Sequence, residues 1–257
     1  MSLLYGPVPS WRLGRSLGVD PISASGKTCS FDCIYCQLGR TKHGISERRP
    51  FVEPSRLAEE LSAIHDLPID YVTFSGTGEP TLAANLADLV AVVREALPDC
   101  PIAILTNASL MPRRDVRRDL ALFDTVVAKV DAPDDALLRQ INRPFAPYNL
   151  AHILLGIRRF REEFGGKLAL QMMFIEANRT RAREMAEIAR GLSPDEVQLN
   201  TPLRPSPERP LSPAAMEQIE RAFAGLPVLN VYRAERPAVM PLDEGEMRRR
   251  RPAERVE

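Results

Sequence analysis

A chain of 257 residues in which 34 basic side chains balance 34 acidic ones has no overall charge with which to attract nucleic acid. Its 44% hydrophobic content is ordinary for a globular protein, and the length suffices for one large domain with a proper core. No apolar run approaches the roughly 20 residues that cross a membrane, and residues 1–7 lack the basic and apolar regions of a secretory signal. We therefore expect a cytoplasmic protein without a membrane partner.

The N-terminal run from Tyr5 to Pro21 is rich in glycine and proline. These residues interrupt regular structure, so the run predicts an ordered N-terminal loop that leads into a short first strand around Ser16 to Ile22. The first predicted helix, Ser55–His65, begins well beyond this strand.

Three of the four cysteines follow close together in the spacing C-x3-C-x2-C, and we call Cys29, Cys33 and Cys36 the cysteine motif. Three thiols leave a structural zinc ion one ligand short, although His43 can in principle complete such a site. An iron–sulfur cluster fits better, because closely spaced thiolates wrap one face of a cube. Three thiolates also leave one iron open to a substrate or cofactor. The remaining cysteine, Cys100, is predicted to be a buried structural thiol.

The second motif, which we call the glycine motif, is Gly76-Thr-Gly78-Glu79-Pro80. It follows a predicted strand at Tyr71–Ser75 and precedes a predicted helix at Leu82–Leu97. Taken alone, a glycine turn after a strand is a common connector. Its position about one strand–helix unit after the cysteine motif makes it informative.

The two motifs together resemble the radical S-adenosylmethionine (SAM) superfamily, whose cysteine motif also has an aromatic residue, here Tyr35, before its last cysteine. The resemblance implies that the three cysteines ligate a [4Fe–4S] cluster whose unique iron binds SAM. It implies that Gly76, Gly78 and Glu79 hold the methionyl amine of SAM, and an ammonium group does need carbonyl and carboxylate acceptors. It further implies that SAM is cleaved to methionine and a 5'-deoxyadenosyl radical, which abstracts a hydrogen atom.

Beyond the cysteine motif, apolar runs alternate with amphipathic segments, which predicts parallel strands joined by crossover helices. The further predicted strands are Ile102–Asn107, Thr125–Asp131, Leu168–Ile175, Glu196–Thr201 and, as a late addition, Val228–Tyr232. The further predicted helices are Arg113–Leu122, Pro133–Ile141, Tyr148–Phe164, Thr180–Gly191 and Pro213–Ala224. The alternation fits both a flat doubly wound sheet and a barrel. The resemblance implies the barrel. The expected α/β fold is a partial six-stranded TIM-like (β/α) barrel with an N-terminal loop and a C-terminal extension.

Two candidate catalytic residues, Lys129 and Asp131, end one predicted strand. Because they are two residues apart they point to the same face, which in a barrel is the lumen since the alternate positions are apolar. A charged pair in a lumen must be satisfied internally or bind a ligand, because an unpaired buried charge is costly. We hypothesise that Lys129 contacts the SAM carboxylate or an anionic substrate group. The alternative is a structural bridge between the two residues.

Further polar residues lie at predicted strand ends, where the chemistry of such barrels gathers. Asn107, Gln171 and Asn200 are candidate SAM- or substrate-binding residues, although Asn107 can instead cap the following turn. The resemblance implies that Asn200, Thr201 and Arg204 border the SAM pocket, although Pro202 also fits an ordinary strand exit there. Glu176 and Asn178 are candidates for the rim of the pocket.

The last part of the chain begins with a proline-rich crossing and ends with the run Arg248–Arg251. Four arginines can contact phosphate, but a terminal run mixed with glutamates is typical of a solvated tail. We therefore divide the chain into a barrel domain, residues 1–235, and a partly flexible C-terminal extension, residues 236–257.

The segments Tyr5–Pro21 and Gln198–Pro205 resemble the wyosine-synthase-related branch of the superfamily. Members of that kind modify transfer RNA, but this chain has neither spare cysteines for a second cluster nor a strongly basic domain. We expect a radical SAM enzyme acting on an unidentified organic substrate, whether small molecule, peptide or RNA, with an electron donor such as flavodoxin or ferredoxin. The alternatives are a tRNA-modifying enzyme and a non-catalytic metal-binding or redox-sensing module.

Overall fold

The structure is a computed structural model that describes residues 2–65 and 67–254. The strands are β1 (Leu4–Ser10), β2 (Gly14–Val19), β3 (Thr28–Cys29), β4 (His43–Gly44), β5 (Tyr71–Phe74), β6 (Ile102–Thr106), β7 (Thr125–Lys129), β8 (Lys167–Met173), β9 (Glu196–Asn200) and β10 (Val228–Asn230). The helices are α1 (Pro54–Ser62), α2 (Leu86–Ala96), α3 (Arg114–Leu120), α4 (Asp135–Leu137), α5 (Leu150–Glu163), α6 (Ala182–Leu192), α7 (Pro213–Arg221) and α8 (Glu244–Arg250).

One curved sheet organises the molecule, in the strand order β1-β2-β5-β6-β7-β8-β9-β10. The strands from β2 to β10 are parallel, as strand–helix alternation predicts, and the sheet curls into a half barrel. This confirms the predicted partial TIM-like barrel. The six strands predicted for the barrel are present, β10 extends the ladder, and β3 and β4 form a separate two-stranded ladder. In the described ranges, none of the helices combines the length and apolarity that a membrane crossing requires.

The strand β1 corrects one prediction, because part of the expected N-terminal loop is an antiparallel edge strand on β2. The register shifts between Tyr5 and Val8, where Gly6 adopts a φ of +100°, which is the local irregularity of a bulge. Proline lacks an N–H group, so it is tolerated on an edge strand but not in the middle of a sheet. Glycine and proline here indicate a bulged edge rather than a loop.

The predicted helix at Pro133–Ile141 is also shorter than expected. Only α4 is α-helical, and the chain continues as a π-helix over Leu138–Asn142. The helix predicted from Leu82 begins at Leu86, because the Glu79 side chain accepts a hydrogen bond from Thr81 N and supports a separate 3-10 turn at Pro80–Leu82. Single π-helical turns are rare and often lie near functional sites.

The C-terminal helix α8 packs against β1, and its last residue, Arg250, is fully buried. Arg250 Nε donates to Asp20 Oδ2 at 2.9 Å, Nη1 to Glu246 Oε2 at 2.6 Å and Nη2 to the Ser2 carbonyl at 2.6 Å. The interpretation of Arg248–Arg251 as a solvated tail was therefore wrong for Arg250. Its carboxylate partner Asp20 is far away in sequence, so the spacing of the arginines did not reveal it.

We predict that Arg250→Met lowers the free energy of unfolding by about 3 kcal/mol or more, because it leaves the buried Asp20 carboxylate without its cation. The neighbouring Arg249 is half-exposed, so Arg249→Met is a matched control expected to change stability by less than about 0.5 kcal/mol. Urea unfolding of the three proteins measures both values. Equal stabilities of the two variants would show that the Asp20–Arg250 pair does not hold α8.

Candidate active site

A cavity of about 270 Å³ lies inside the half barrel, at the carboxyl ends of its parallel strands. The predicted site residues that line it are Cys29, Cys33, Tyr35, Cys36, Gly76, Gly78, Glu79, Asn107, Lys129, Gln171 and Asn200. Thr201 and Arg204 line it as well. Residues spread over most of the chain thus meet at one place, as expected for the carboxyl edge of parallel strands.

The backbone of Thr28 joins the cysteine motif to the glycine motif. Thr28 N donates to Thr77 O at 3.0 Å, and Glu79 N donates to Thr28 O at 3.2 Å. A Cβ on Gly78 would lie 1.7 Å from Thr28 O, and one on Gly76 would lie 2.2 Å from the Asp20 carboxyl carbon. The glycines therefore permit close contact with the protein itself, in addition to the approach of a ligand that the sequence suggested.

The thiols lie in a largely buried environment with several N–H donors. Lys129 Nζ and Asn142 Nδ2 lie 3.3 and 3.4 Å from Cys33 Sγ, and Asn107 Nδ2 lies 3.7 Å from Cys29 Sγ. Burial raises the pKa of the Cys29 thiol to about 12. An ordinary thiol there would stay protonated, so a thiolate at this position needs a metal or a nearby cation.

Lys27 is a cation that the sequence analysis did not select. It is buried, lines the cavity, and donates from Nζ to the Gly39 carbonyl at 3.4 Å. Burial works against its charge, yet Cys36, Cys29 and Cys33 raise the pKa of Lys27 above its usual value. A lysine two residues before the first cysteine of the motif was the available clue.

The donor set fits an iron–sulfur cluster with three protein thiolates. The three thiols line one cavity, and Lys27 and Lys129 line it with them. His43, which would have completed a zinc site, is exposed and does not line this cavity. Within residues 2–65 and 67–254, no three His, Cys, Asp or Glu side chains converge tightly enough to form a ready-made site for a single metal ion.

Lys129 faces the lumen, as the alternation of β7 predicts. Its Nζ lies 2.6 Å from Tyr35 Oη and 3.3 Å from Asp131 Oδ2, so the predicted bridge between Lys129 and Asp131 is present. Asp131 is buried outside the main cavity, where it accepts hydrogen bonds from Tyr35 Oη, from Asn142 Nδ2 at 2.7 Å and from Met173 N at 3.0 Å. Burial opposes the charge of Lys129, but Asp131 and Cys33 raise its pKa. Asp131 thus holds Lys129 and Tyr35 in position.

Glu79 is buried and is anchored mainly through one oxygen. Its Oε1 accepts from Thr81 N, Thr81 Oγ1 and Thr106 Oγ1, whereas Oε2 accepts from Asn107 N at 2.7 Å. Burial raises the pKa of Glu79, although these donors favour its charged form. Oε2 accepts only one of these hydrogen bonds, so its second lone pair has capacity for one more donor.

Asn107 caps the following turn, as the sequence allowed, and also lines the cavity. Its Oδ1 accepts from Ser109 N at 3.0 Å, which caps the turn, and its Nδ2 donates to Ser30 Oγ at 2.9 Å beside Cys29. Gln171 and Asn200 line the cavity, and Gln171 Oε1 accepts from Arg12.

The two rim candidates beyond β8 do not line the cavity. Asn178 is fully buried and donates to the Asp131 and Met173 carbonyls at 2.8 and 2.9 Å, so it is a structural residue. Glu176 is exposed and pairs with Arg179 at 2.9 Å.

Residues 24–189 match the family described as the Radical SAM superfamily. The chain therefore belongs to the radical SAM superfamily, which confirms the resemblance seen in its motifs, and it is an enzyme. The family implies SAM and a [4Fe–4S] cluster as cofactors, and its members generally need a reductant.

The chain is 41% identical over 231 residues to the UPF0026 protein MJ1312 of Methanocaldococcus jannaschii, covering 87% of this chain and 71% of that protein. Its fold is similar to that of a radical SAM methyltransferase from Sphaerobacter thermophilus, with a TM-score of 0.63, 18% identity and coverage of 84% and 65% of the two chains. It is also similar to archaeal TYW1, with a TM-score of 0.58, 14% identity and coverage of 83% and 72%. At these identities the two structures show a shared fold and not a shared substrate.

We predict that Gly78→Ala lowers the free energy of unfolding by about 1–3 kcal/mol, because its methyl group must displace the Thr28 carbonyl. The same displacement should reduce the iron bound after anaerobic reconstitution. Gly191→Ala is the control: it lies in α6 with open space around it and should be neutral or stabilising by up to about 1 kcal/mol. Full iron binding by a normally stable Gly78→Ala protein would refute the role of the Thr28 contact.

Proposed function

We propose that this enzyme binds a [4Fe–4S] cluster through Cys29, Cys33 and Cys36 and uses SAM to abstract hydrogen from an organic substrate. When bound, a cluster of this kind supplies the electron that cleaves SAM to methionine and a 5'-deoxyadenosyl radical. The observation that carries the proposal is that the three thiols and the glycine motif line one cavity. In the described part of the chain no further cysteine lines it, which supports an iron left open for SAM.

The amine of SAM is assigned to the glycine motif. Glu79 Oε2 has room for one more donor, and the backbone at Gly76 and Gly78 borders the same cavity. An ammonium group is satisfied by such carboxylate and carbonyl acceptors. Thr81 and Thr106 hold the other Glu79 oxygen, so they orient the carboxylate for this role.

The carboxylate of SAM is assigned to Lys129. Its ammonium group lies beside Cys33 and Tyr35, next to the position proposed for the open iron. Asp131 lies behind it and keeps it charged, and is therefore proposed as a positioning residue. Tyr35 donates to Asp131 and accepts from Lys129, which fixes the direction of the chain of hydrogen bonds.

An external reductant such as flavodoxin or ferredoxin would approach near the end of the cysteine motif. Cys36 is only half-buried, and the following Gly39 and Arg40 are exposed. Arg40 has 84% of its side chain exposed beside Asp32, so it can contact an acidic partner. The likeness to archaeal TYW1 concerns the fold and does not favour a tRNA substrate for this chain.

We predict that the anaerobically reconstituted protein releases 5'-deoxyadenosine from SAM after reduction with dithionite. Cys33→Ala removes one proposed ligand, so its 5'-deoxyadenosine should fall to the level of a control without protein. Cys100→Ala should retain iron and product, because Cys100 lies outside the cavity. Chromatography of the product and iron analysis provide the readouts. A reconstituted protein that bound four irons but formed no 5'-deoxyadenosine would contradict the proposed reaction.

We predict that Lys129→Gln weakens SAM binding about tenfold to a hundredfold, the effect of losing one hydrogen bond to a charged group. Iron content must be measured alongside, because Lys129 also contacts Cys33. Lys167→Gln is the control: this lysine pairs with Glu196 on the outer part of the fold and does not line the cavity. If Lys129→Gln bound and cleaved SAM normally, the bridge to Asp131 would be purely structural.

A further inference from the structure

Three arginines from distant parts of the chain line the active-site cavity, and we call Arg12, Arg204 and Arg251 the arginine cluster. Arg12 lies in the turn between β1 and β2, Arg204 follows β9, and Arg251 follows α8. Burial and repulsion from Arg251 and Arg204 lower the pKa of Arg12 to about 9. Burial and repulsion from Arg251 lower the pKa of Arg204 to about 10. The guanidinium groups are therefore close enough to repel one another and remain charged at neutral pH.

This charge has no ion-pair partner among the residues that the structure describes. In residues 2–65 and 67–254, no carboxylate lies within ion-pair distance of the arginine cluster. Glu254 lines the same cavity but pairs with Arg236 at 3.2 Å. Glu196, the other nearby acid, pairs with Lys167 at 2.8 Å. The cluster thus presents three cations to the cavity without an anionic partner from the described chain.

Within the described residues, only a few of the N–H donors of the cluster form hydrogen bonds. A guanidinium has five N–H donors. Arg12 donates to Gln171 Oε1, while its Nε is buried with no partner among the described residues. Arg204 donates to the Pro252 carbonyl at 2.8 Å, and Arg251 donates to one backbone carbonyl and one serine hydroxyl. A buried N–H without a partner is unfavourable, so these donors are suited to a ligand that accepts several hydrogen bonds.

We propose that the arginine cluster binds the phosphate group of a small organic phosphate ester, which is the substrate of the radical reaction. Calling this ligand the substrate rests on the function proposed above. A phosphate group carries nearly two negative charges and accepts paired hydrogen bonds from the planar guanidinium fork. SAM is a poor occupant, because its sulfonium and ammonium groups outweigh its single carboxylate and make it a cation. The cluster would therefore repel SAM and attract its co-substrate.

The cluster is joined to the cysteine motif by a short path of contacts. Arg12 contacts Gln171 on β8, and Gln171 lies opposite Lys129 in the pairing of β7 with β8. Lys129 in turn contacts Cys33. A phosphate held at Arg12 would leave the organic part of the ester inside the same cavity as the cysteine motif.

Isothermal titration calorimetry with inorganic pyrophosphate tests the proposal on the full-length, anaerobically reconstituted protein without SAM. We expect Arg12→Gln and Arg204→Gln each to raise the dissociation constant about tenfold or more, the effect of losing one charge-assisted contact. The exposed Arg209, which does not line the cavity, supplies the control Arg209→Gln, and this variant should bind like the parent. Equal binding by all four proteins, or no binding by the parent, would overturn the proposal.

Two further titrations identify the class of ligand. Succinate at matched ionic strength should bind at least about tenfold more weakly than pyrophosphate, and tighter binding would indicate a dicarboxylate instead. If a single-stranded RNA oligonucleotide bound through the arginines and pyrophosphate did not, the ligand would be a nucleic acid and not a small phosphate ester. Arg12→Gln should remain folded, because the substitution relieves repulsion among the arginines. If its unfolding temperature nevertheless falls sharply, the binding of Arg204→Gln is compared with that of the parent instead. Because these titrations use neither SAM nor a reductant, their failure is separate from a failure to form 5'-deoxyadenosine.

Discussion

The contact on which the site depends is the backbone pairing of Thr28 with the glycine motif. The cysteine motif lies in a segment with little regular structure of its own, between β2 and α1. Two hydrogen bonds, from Thr28 N to Thr77 O and from Glu79 N to Thr28 O, attach this segment to the end of β5. Since Cys29 is the next residue, its thiol is positioned by the sheet and not by the loop. The two motifs are therefore one structural unit, and Gly78 is the residue that makes their close approach possible.

The electrostatics of the cavity follow from burying thiols there. A Cys29 pKa of about 12 describes a protonated thiol, and metal binding must displace its proton. Lys27 and Lys129 lower the cost of that step because their positive charges lie among the sulfur atoms. With the arginine cluster the cavity is strongly basic, although the whole chain has a net charge of zero. The net charge of zero gave no reason to expect a nucleic-acid-binding surface. It does not predict the local positive charge of the cavity.

The sequence predicted the features that depend on local pattern. The strand predicted at Thr125–Asp131 is present as β7, which ends two residues earlier, and the lumen-facing position of Lys129 follows from its alternation. The meeting of the two motifs follows from the parallel order of the strands. Features that depend on partners far away in sequence were missed. The sequence of β1 is typical of a loop, and its strand structure depends on pairing with β2. Arg12 is typical of a surface residue in sequence, and its place in the cavity depends on its contact with Gln171. No periodicity encodes such pairs.

The C-terminal extension contacts the site through Arg250. Asp20 Oδ2 accepts from both Arg250 Nε and Thr77 N, at 2.9 and 3.1 Å. Through Asp20, α8 therefore stabilises the glycine motif. Gln37 Nε2, directly after the cysteine motif, donates to the Arg250 carbonyl at 2.6 Å. One residue thus connects both motifs, and the next, Arg251, lines the cavity. Because an unpaired buried carboxylate is costly, loss of α8 would disturb the glycine motif through Asp20. We infer that the barrel and its C-terminal helix form one functional unit.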